Sequence, residues 1–83
     1  MNLLKPKRTP YEIIWQILDY CRKPRKLTHI IQACNLNTPR AKKYLDLLVD
    51  KEMLSKNNRK YKTTEKGLKY LTLIEEVYQA LFS

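Results

Sequence analysis

The chain has 83 residues, 43% apolar and 30% charged, with 17 Lys and Arg against 8 Asp and Glu for a net charge of +9. That length holds one compact domain, which buries roughly 60–65% of the surface its unfolded form exposes; the apolar fraction excludes disorder and the frequent charges exclude a membrane span. Gly67 is the only glycine, which excludes a glycine-rich phosphate loop and most nucleotide-dependent enzymes with it.

Residues 1–8, MNLLKPKR, form a basic N-terminal arm without the apolar run or cleavage site of a secretory signal. Thr9-Pro10-Tyr11-Glu12 then opens a helix over 9–23: Thr9 can N-cap, Pro10 suits the first turn and Glu12 completes a capping box. Ile13, Ile14, Ile17, Leu18 and Cys21 recur at helical spacing, and Pro24 ends the helix. Thr28 is the expected N-cap of a short second helix that buries Ile30, Ile31 and Cys34. Asn35-Leu36-Asn37 interrupts it, with Asn35 suited to the left-handed backbone of a sharp turn. Thr38-Pro39 restarts a helix as N-cap and first-turn proline, and this third helix runs over about 38–51. At 100° per residue Ala41, Tyr44, Leu45 and Leu48 share one face, and Pro39, Lys43, Asp46 and Asp50 lie opposite, flanked by Arg40 and Lys42.

Met53–Lys56 and Lys60–Thr63 read as short strands around the turn-prone Asn57-Asn58-Arg59, a candidate wing over about 53–63. Thr64-Glu65 supplies a cap and an acidic first turn for a last helix over about 65–82, with Leu68, Leu71, Ile74, Val77, Tyr78 and Leu81 as its apolar stripe. Gly67 in that helix costs about 1 kcal/mol relative to alanine, so the close approach of another backbone is its expected explanation. The order is α-α-α-β-β-α, mainly helical with one small hairpin and a helix-turn-helix at its centre.

Charge follows this division. Residues 1–26 carry seven Lys or Arg against two acids and residues 37–62 carry eight against three, so each stretch is +5, whereas residues 64–83 are −1. A basic surface beside a near-neutral apolar helix points to a nucleic-acid face next to a protein-contact face. The stretch THIIQACNLNTPRAKKYLDLLVDKEMLSKNNRKYKTTEKGLKYL resembles the winged helix-turn-helix domains of archaeal transcription regulators and archaeal virus proteins. The similarity is most specific in YKTTEKGLKYL and covers about residues 9–82. It implies a winged-helix fold and a DNA-binding, regulatory role.

On that reading Thr38, Arg40, Lys42 and Lys43 contact phosphates or base edges, with Arg40 and Lys43 probing the major groove, and Asn58, Arg59 and Lys60 at the wing meet a flanking phosphate or minor groove. Lys5, Lys7 and Arg8 form an arm of the kind that tracks a minor groove. Trp15, Tyr11, Tyr20, Tyr44 and Tyr70 sit at helical spacing, as packing aromatics do, and are not assigned to a ligand. His29 is the only histidine and has no metal-ligand spacing with Cys21 or Cys34, which read as buried free thiols. No carboxylate pair or nucleophile with its base is present, so no enzyme activity, metal, cofactor or small-molecule ligand is expected. The expected partners are double-stranded DNA and a second copy of the chain, joined through Ile74, Val77, Tyr78, Leu81 and Phe82. No membrane partner is expected; the place is the cytoplasm, at the nucleoid or in an infected host cell. Two alternatives remain at this level: an architectural DNA binder with little sequence preference, and a winged-helix module that docks proteins.

Overall fold

A computed structural model describes residues 8–82. Helix α1 spans Pro10–Tyr20. Thr9 caps it as its sequence predicts, its hydroxyl accepting the Glu12 N–H at 3.2 Å. The capping box is only half closed, because Oε2 of Glu12 is buried with no hydrogen-bond partner among the described residues. The helix ends at Tyr20, with Cys21 as C-cap, ahead of the stop expected at Pro24. Arg25 explains the early end: its Nε–H donates to the Tyr20 carbonyl at 2.9 Å and its guanidinium lies 4.2 Å from the Tyr20 ring centroid. A cation is thus placed where the helix leaves a carbonyl unpaired.

That contact feeds a strand the hydrophobic pattern did not announce. Arg25–Lys26 forms β1, two residues being too short to show an alternation. Its extended backbone runs straight into α2, Leu27–Ala33, so Lys26 is the N-cap position and makes no side-chain cap, in place of the expected Thr28. Cys34 ends α2 and Asn35 adopts φ 51°, which lets the Leu36 N–H reach the Ile31 carbonyl at 3.0 Å. This six-to-one closure is a Schellman motif, with Asn where Gly is usual. Helix α3, Thr38–Asp50, is capped one residue earlier than expected, by Asn37, whose Oδ1 accepts the Arg40 N–H at 2.8 Å. It closes by the same motif: Glu52 takes φ 62° and the Met53 N–H reaches the Leu48 carbonyl at 2.8 Å.

Strands β2, Leu54–Asn57, and β3, Lys60–Thr63, pair antiparallel, and β1 pairs with the other edge of β3, giving the order β1-β3-β2. The two-residue tip, Asn58-Arg59, has φ of 51° and 63°, the doubly left-handed turn that matches strand twist. Helix α4, Glu65–Phe82, starts at Thr64, whose hydroxyl accepts the Gly67 N–H at 3.0 Å and donates to the Glu52 carbonyl at 2.6 Å. Thr63 is buried and ties the sheet to α1, donating from its hydroxyl to the Leu18 carbonyl at 2.7 Å and from its N–H to the Cys21 carbonyl at 2.8 Å. The expected close approach at Gly67 is present: a Cβ there would lie 2.2 Å from the Met53 carbonyl oxygen.

One core joins these elements. Ile13, Ile17, Leu18, Ile30, Leu45 and Leu71 are fully buried, each contributing about 1.5–3 kcal/mol by leaving water. Cys21 and Cys34 are buried free thiols within it. Trp15, Tyr20 and Tyr44 pack against its edge, whereas Tyr11 and Tyr70 are exposed. Leu68 is likewise exposed, because the side of α4 turned into the domain carries Gly67 and Leu71. No helix among the described residues is long and apolar enough to cross a membrane.

Candidate nucleic-acid interface

The buried residues of α3, namely Ala41, Leu45 and Leu48, turn one face of this helix inward. Thr38, Arg40, Lys42 and Lys43 are therefore all exposed, within the first two turns. The acids of the helix, Asp46 and Asp50, come later along it, so its open amino-terminal half carries three cations and no acid. Such a helix can lay guanidinium and ammonium donors against phosphates or guanine edges.

The position of α3 depends on the turn before it, and Arg8 holds that turn. Its guanidinium donates to the Gln16 side-chain oxygen, to the Cys34 carbonyl and, at 2.8 Å, to the Asn35 carbonyl. These carbonyls close α2, so the arginine satisfies the acceptors and the partial negative charge that a helix end leaves. Its neighbours in sequence place Arg8 in the basic arm, but its head group faces the fold and braces α1 against the helix-turn-helix. Lys5 and Lys7, the rest of that arm, lie outside the described residues.

At the wing, Asn58, Arg59 and Lys60 are exposed on the hairpin tip. Arg59 occupies a left-handed position where glycine is preferred, which costs about 1 kcal/mol for a residue with a Cβ. The sequence reading missed two more exposed lysines of the hairpin, Lys56 and Lys62. Lys56 lies 5.4 Å from the Tyr61 ring centroid, on the other side of the sheet from Lys62. The alternation Lys60-Tyr61-Lys62 was the available signal, since a buried Tyr61 forces its neighbours outward.

In α4 the apolar residues divide between two lines. Ile74 and Tyr78 are half-buried along the direction of Gly67 and Leu71, whereas Val77, Leu81 and Phe82 are 58%, 68% and 70% exposed. The Tyr78 and Phe82 rings stack in a tilted pair, 5.1 Å between centroids. Tyr70 and Leu73 are exposed as well and fall in line with Val77 and Leu81; the apolar stripe read from sequence did not include them. Among the described residues no cluster of His, Cys, Asp or Glu is arranged to hold a metal ion.

Known proteins share this arrangement. A family model described as winged helix-turn-helix matches residues 7–81. The uncharacterised protein MJ0287 of Methanocaldococcus jannaschii is 31% identical over 78 residues, spanning 93% of this chain and 80% of its own length. A second uncharacterised protein of that organism, MJ0290, is 35% identical over 77 residues, which are 92% of this chain but 36% of the relative. Among solved structures, Sso10a-2, described as a DNA-binding protein from Sulfolobus solfataricus, superposes with a TM-score of 0.78 at 35% identity, covering 88% of this chain and 81% of that one. A Listeria innocua protein of unknown function superposes with a TM-score of 0.73 at 25% identity, over 87% and 54% of the two chains. Since the family pattern runs through every element from Arg8 to the last turn of α4, the chain belongs to the winged helix-turn-helix family.

Proposed function

We propose that the protein is a transcription regulator that binds duplex DNA with the amino-terminal half of α3 in the major groove and the wing on the flanking backbone. The observation that carries this reading is the cluster of Arg40, Lys42 and Lys43 on the open face of α3, with no acid before Asp46. Arg40 and Lys43 probe base edges, and Asn58, Arg59 and Lys60 contact phosphates. The DNA binding attributed to Sso10a-2, at 35% identity and with the same fold, supports the reading. Two copies act together, joined through the carboxy-terminal half of α4, where Val77, Leu81 and Phe82 leave an apolar strip uncovered by the rest of the domain. A two-fold dimer of this kind presents two recognition helices to a pseudo-palindromic site.

The experiment is a titration of the full chain and of Arg40→Ala/Lys43→Ala against several unrelated duplexes at graded salt, with light scattering for the oligomeric state. A regulator selects its site over unrelated duplexes by roughly a thousandfold or more. In the double variant the removal of each bidentate base interaction lowers affinity by about 1–3 kcal/mol, with no change in melting temperature. Equal affinity for every duplex assigns the architectural role instead. Unchanged affinity in the variant removes α3 as the recognition helix, and a monomer at micromolar concentration removes the dimer.

A further inference from the structure

The outer face of the sheet carries charge that neither the recognition helix nor the core explains. In an antiparallel sheet, paired residues point to the same side and successive residues to opposite sides. The register pairs Lys60 with Lys26 on one flank and with Asn57 on the other, and pairs Lys62 with Ser55. Leu54, Tyr61 and Thr63 are buried and hold the inner face. The outer face therefore gathers Lys26, Lys60 and Lys62 with the neutral Ser55 and Asn57, all of them exposed. The three strands contain no Asp or Glu, and among the described residues none of these lysines has an ion-pair partner. Lys60, Lys62, Ser55 and Asn57 also line an open concavity of about 310 Å³.

Like charges directly opposite each other destabilise a sheet, and Lys26 and Lys60 are so placed. Their uncharged neighbours are Asn57, whose amide can donate to a phosphate oxygen, and Ser55, whose hydroxyl donates to the Lys62 carbonyl at 3.3 Å; neither neutralises lysine. Ammonium groups beside an amide donor are what a phosphodiester backbone accepts. A lipid surface is also anionic, but membrane-seated faces insert large apolar side chains, and this face has none.

We propose that the outer face of the β1-β3-β2 sheet, through Lys26, Lys60 and Lys62, is a second phosphate-contact surface on which the backbone of duplex DNA lies. The proposal rests on the DNA-binding reading above and extends it from the wing tip, where Lys60 follows Arg59, across the sheet to β1. Lysine acts here as a point charge, so the surface adds affinity without reading sequence.

The test compares full-length Lys26→Gln/Lys62→Gln with Lys66→Gln/Lys69→Gln, which removes the same charge from exposed positions of α4. Duplex affinity is measured from 50 to 200 mM salt, and melting temperature confirms folding. The sheet variant binds about tenfold more weakly near 0.1 M salt, equally for unrelated duplexes, and its log–log salt slope flattens by about 1.8, or 0.9 for each phosphate that is no longer neutralised. The α4 variant keeps the slope of the unaltered protein. Equal slopes in the two variants overturn the sheet proposal while leaving DNA binding intact. A sheet variant that binds duplexes normally but no longer binds vesicles of anionic phospholipid overturns it in favour of a membrane surface. If the unaltered protein binds no duplex at any salt, the DNA reading itself falls and this proposal with it.

Discussion

Replacing Gly67 by alanine tests how tightly α4 is seated on the strand that leads into the wing. By helix propensity alone the change gains about 1 kcal/mol. The added Cβ, however, would stand 2.2 Å from the Met53 carbonyl oxygen and 2.7 Å from Cγ2 of Thr63. Neither neighbour is free to yield: the Met53 carbonyl accepts the Thr64 N–H at 3.0 Å, and Thr63 is buried and bonded to α1. Reaching ordinary contact requires the first turn of α4 to move away by about 1 Å, which an interior packed to crystal density resists. That shift stretches the Thr64 bonds to Met53 and Glu52, each worth about 1 kcal/mol, and adds overpacking strain of about 1–3 kcal/mol. The net loss is about 2–4 kcal/mol, a fall in melting temperature of roughly 10–30 °C for a domain of this size. Thermal and urea unfolding followed by circular dichroism measure it directly. A melting temperature equal to or above that of the unaltered chain contradicts this account, because it means that α4 moves away from Met53 and Thr63 without resistance.

Arg59→Gly separates stability from function at the wing: relieving the left-handed residue raises stability by about 0.5–1 kcal/mol in urea titration, while duplex affinity falls several-fold because one phosphate is no longer neutralised. A gain in both would remove Arg59 from the interface. Arg8→Ala leaves the Cys34 and Asn35 carbonyls without their donor and lowers stability by about 1–3 kcal/mol. Arg8→Lys restores only part, since one ammonium cannot fork across two carbonyls; full recovery by lysine contradicts the clamp. Burial pushes the Cys21 thiol from its ordinary 9.0 up to about 12, with Cys34 adding to the rise and Arg25 opposing it. Burial likewise raises Cys34 to about 11, against the opposing charge of Arg8. The unfolded chain therefore ionises first, so the stability held by the neutral thiols is whole below pH 9 and is lost as pH rises through 9 toward 11 and 12. Urea midpoints should fall more steeply between about pH 8 and 10.5 for the unaltered protein than for Cys21→Ala/Cys34→Ala, and parallel pH profiles would contradict the assignment.

Local chemistry made much of the helix-turn-helix legible. Thr9-Pro10 and Asn35 act as their types dictate, because a cap hydroxyl or a left-handed asparagine answers to backbone groups a few residues away. Thr28 and Thr38 misled for the same reason: each is a good cap, but a neighbour already occupied the position, Lys26 at the end of a strand and Asn37 with a free amide oxygen. The two-residue β1 had no periodic signal, and it exists only because β3, far later in the chain, offers an unpaired edge.

Periodicity within single segments was enough to order the four helices and the β2–β3 hairpin, though not β1, and to mark the basic open face of α3 and the amphipathic character of α4. The packing of one element on another sets instead the direction in which side chains of equal character are used. Arg8 and Lys7 are alike in sequence, but the Arg8 guanidinium is spent on the carbonyls that end α2. Lys26, Lys60 and Lys62 come together only through strand register. Tyr70 and Leu73 join Val77 and Leu81 on the exposed side of α4 because Gly67 and Leu71 claim the side turned into the domain. Periodicity tells which residues of a helix share a face; only the packing of one element on another tells which face is left for a partner.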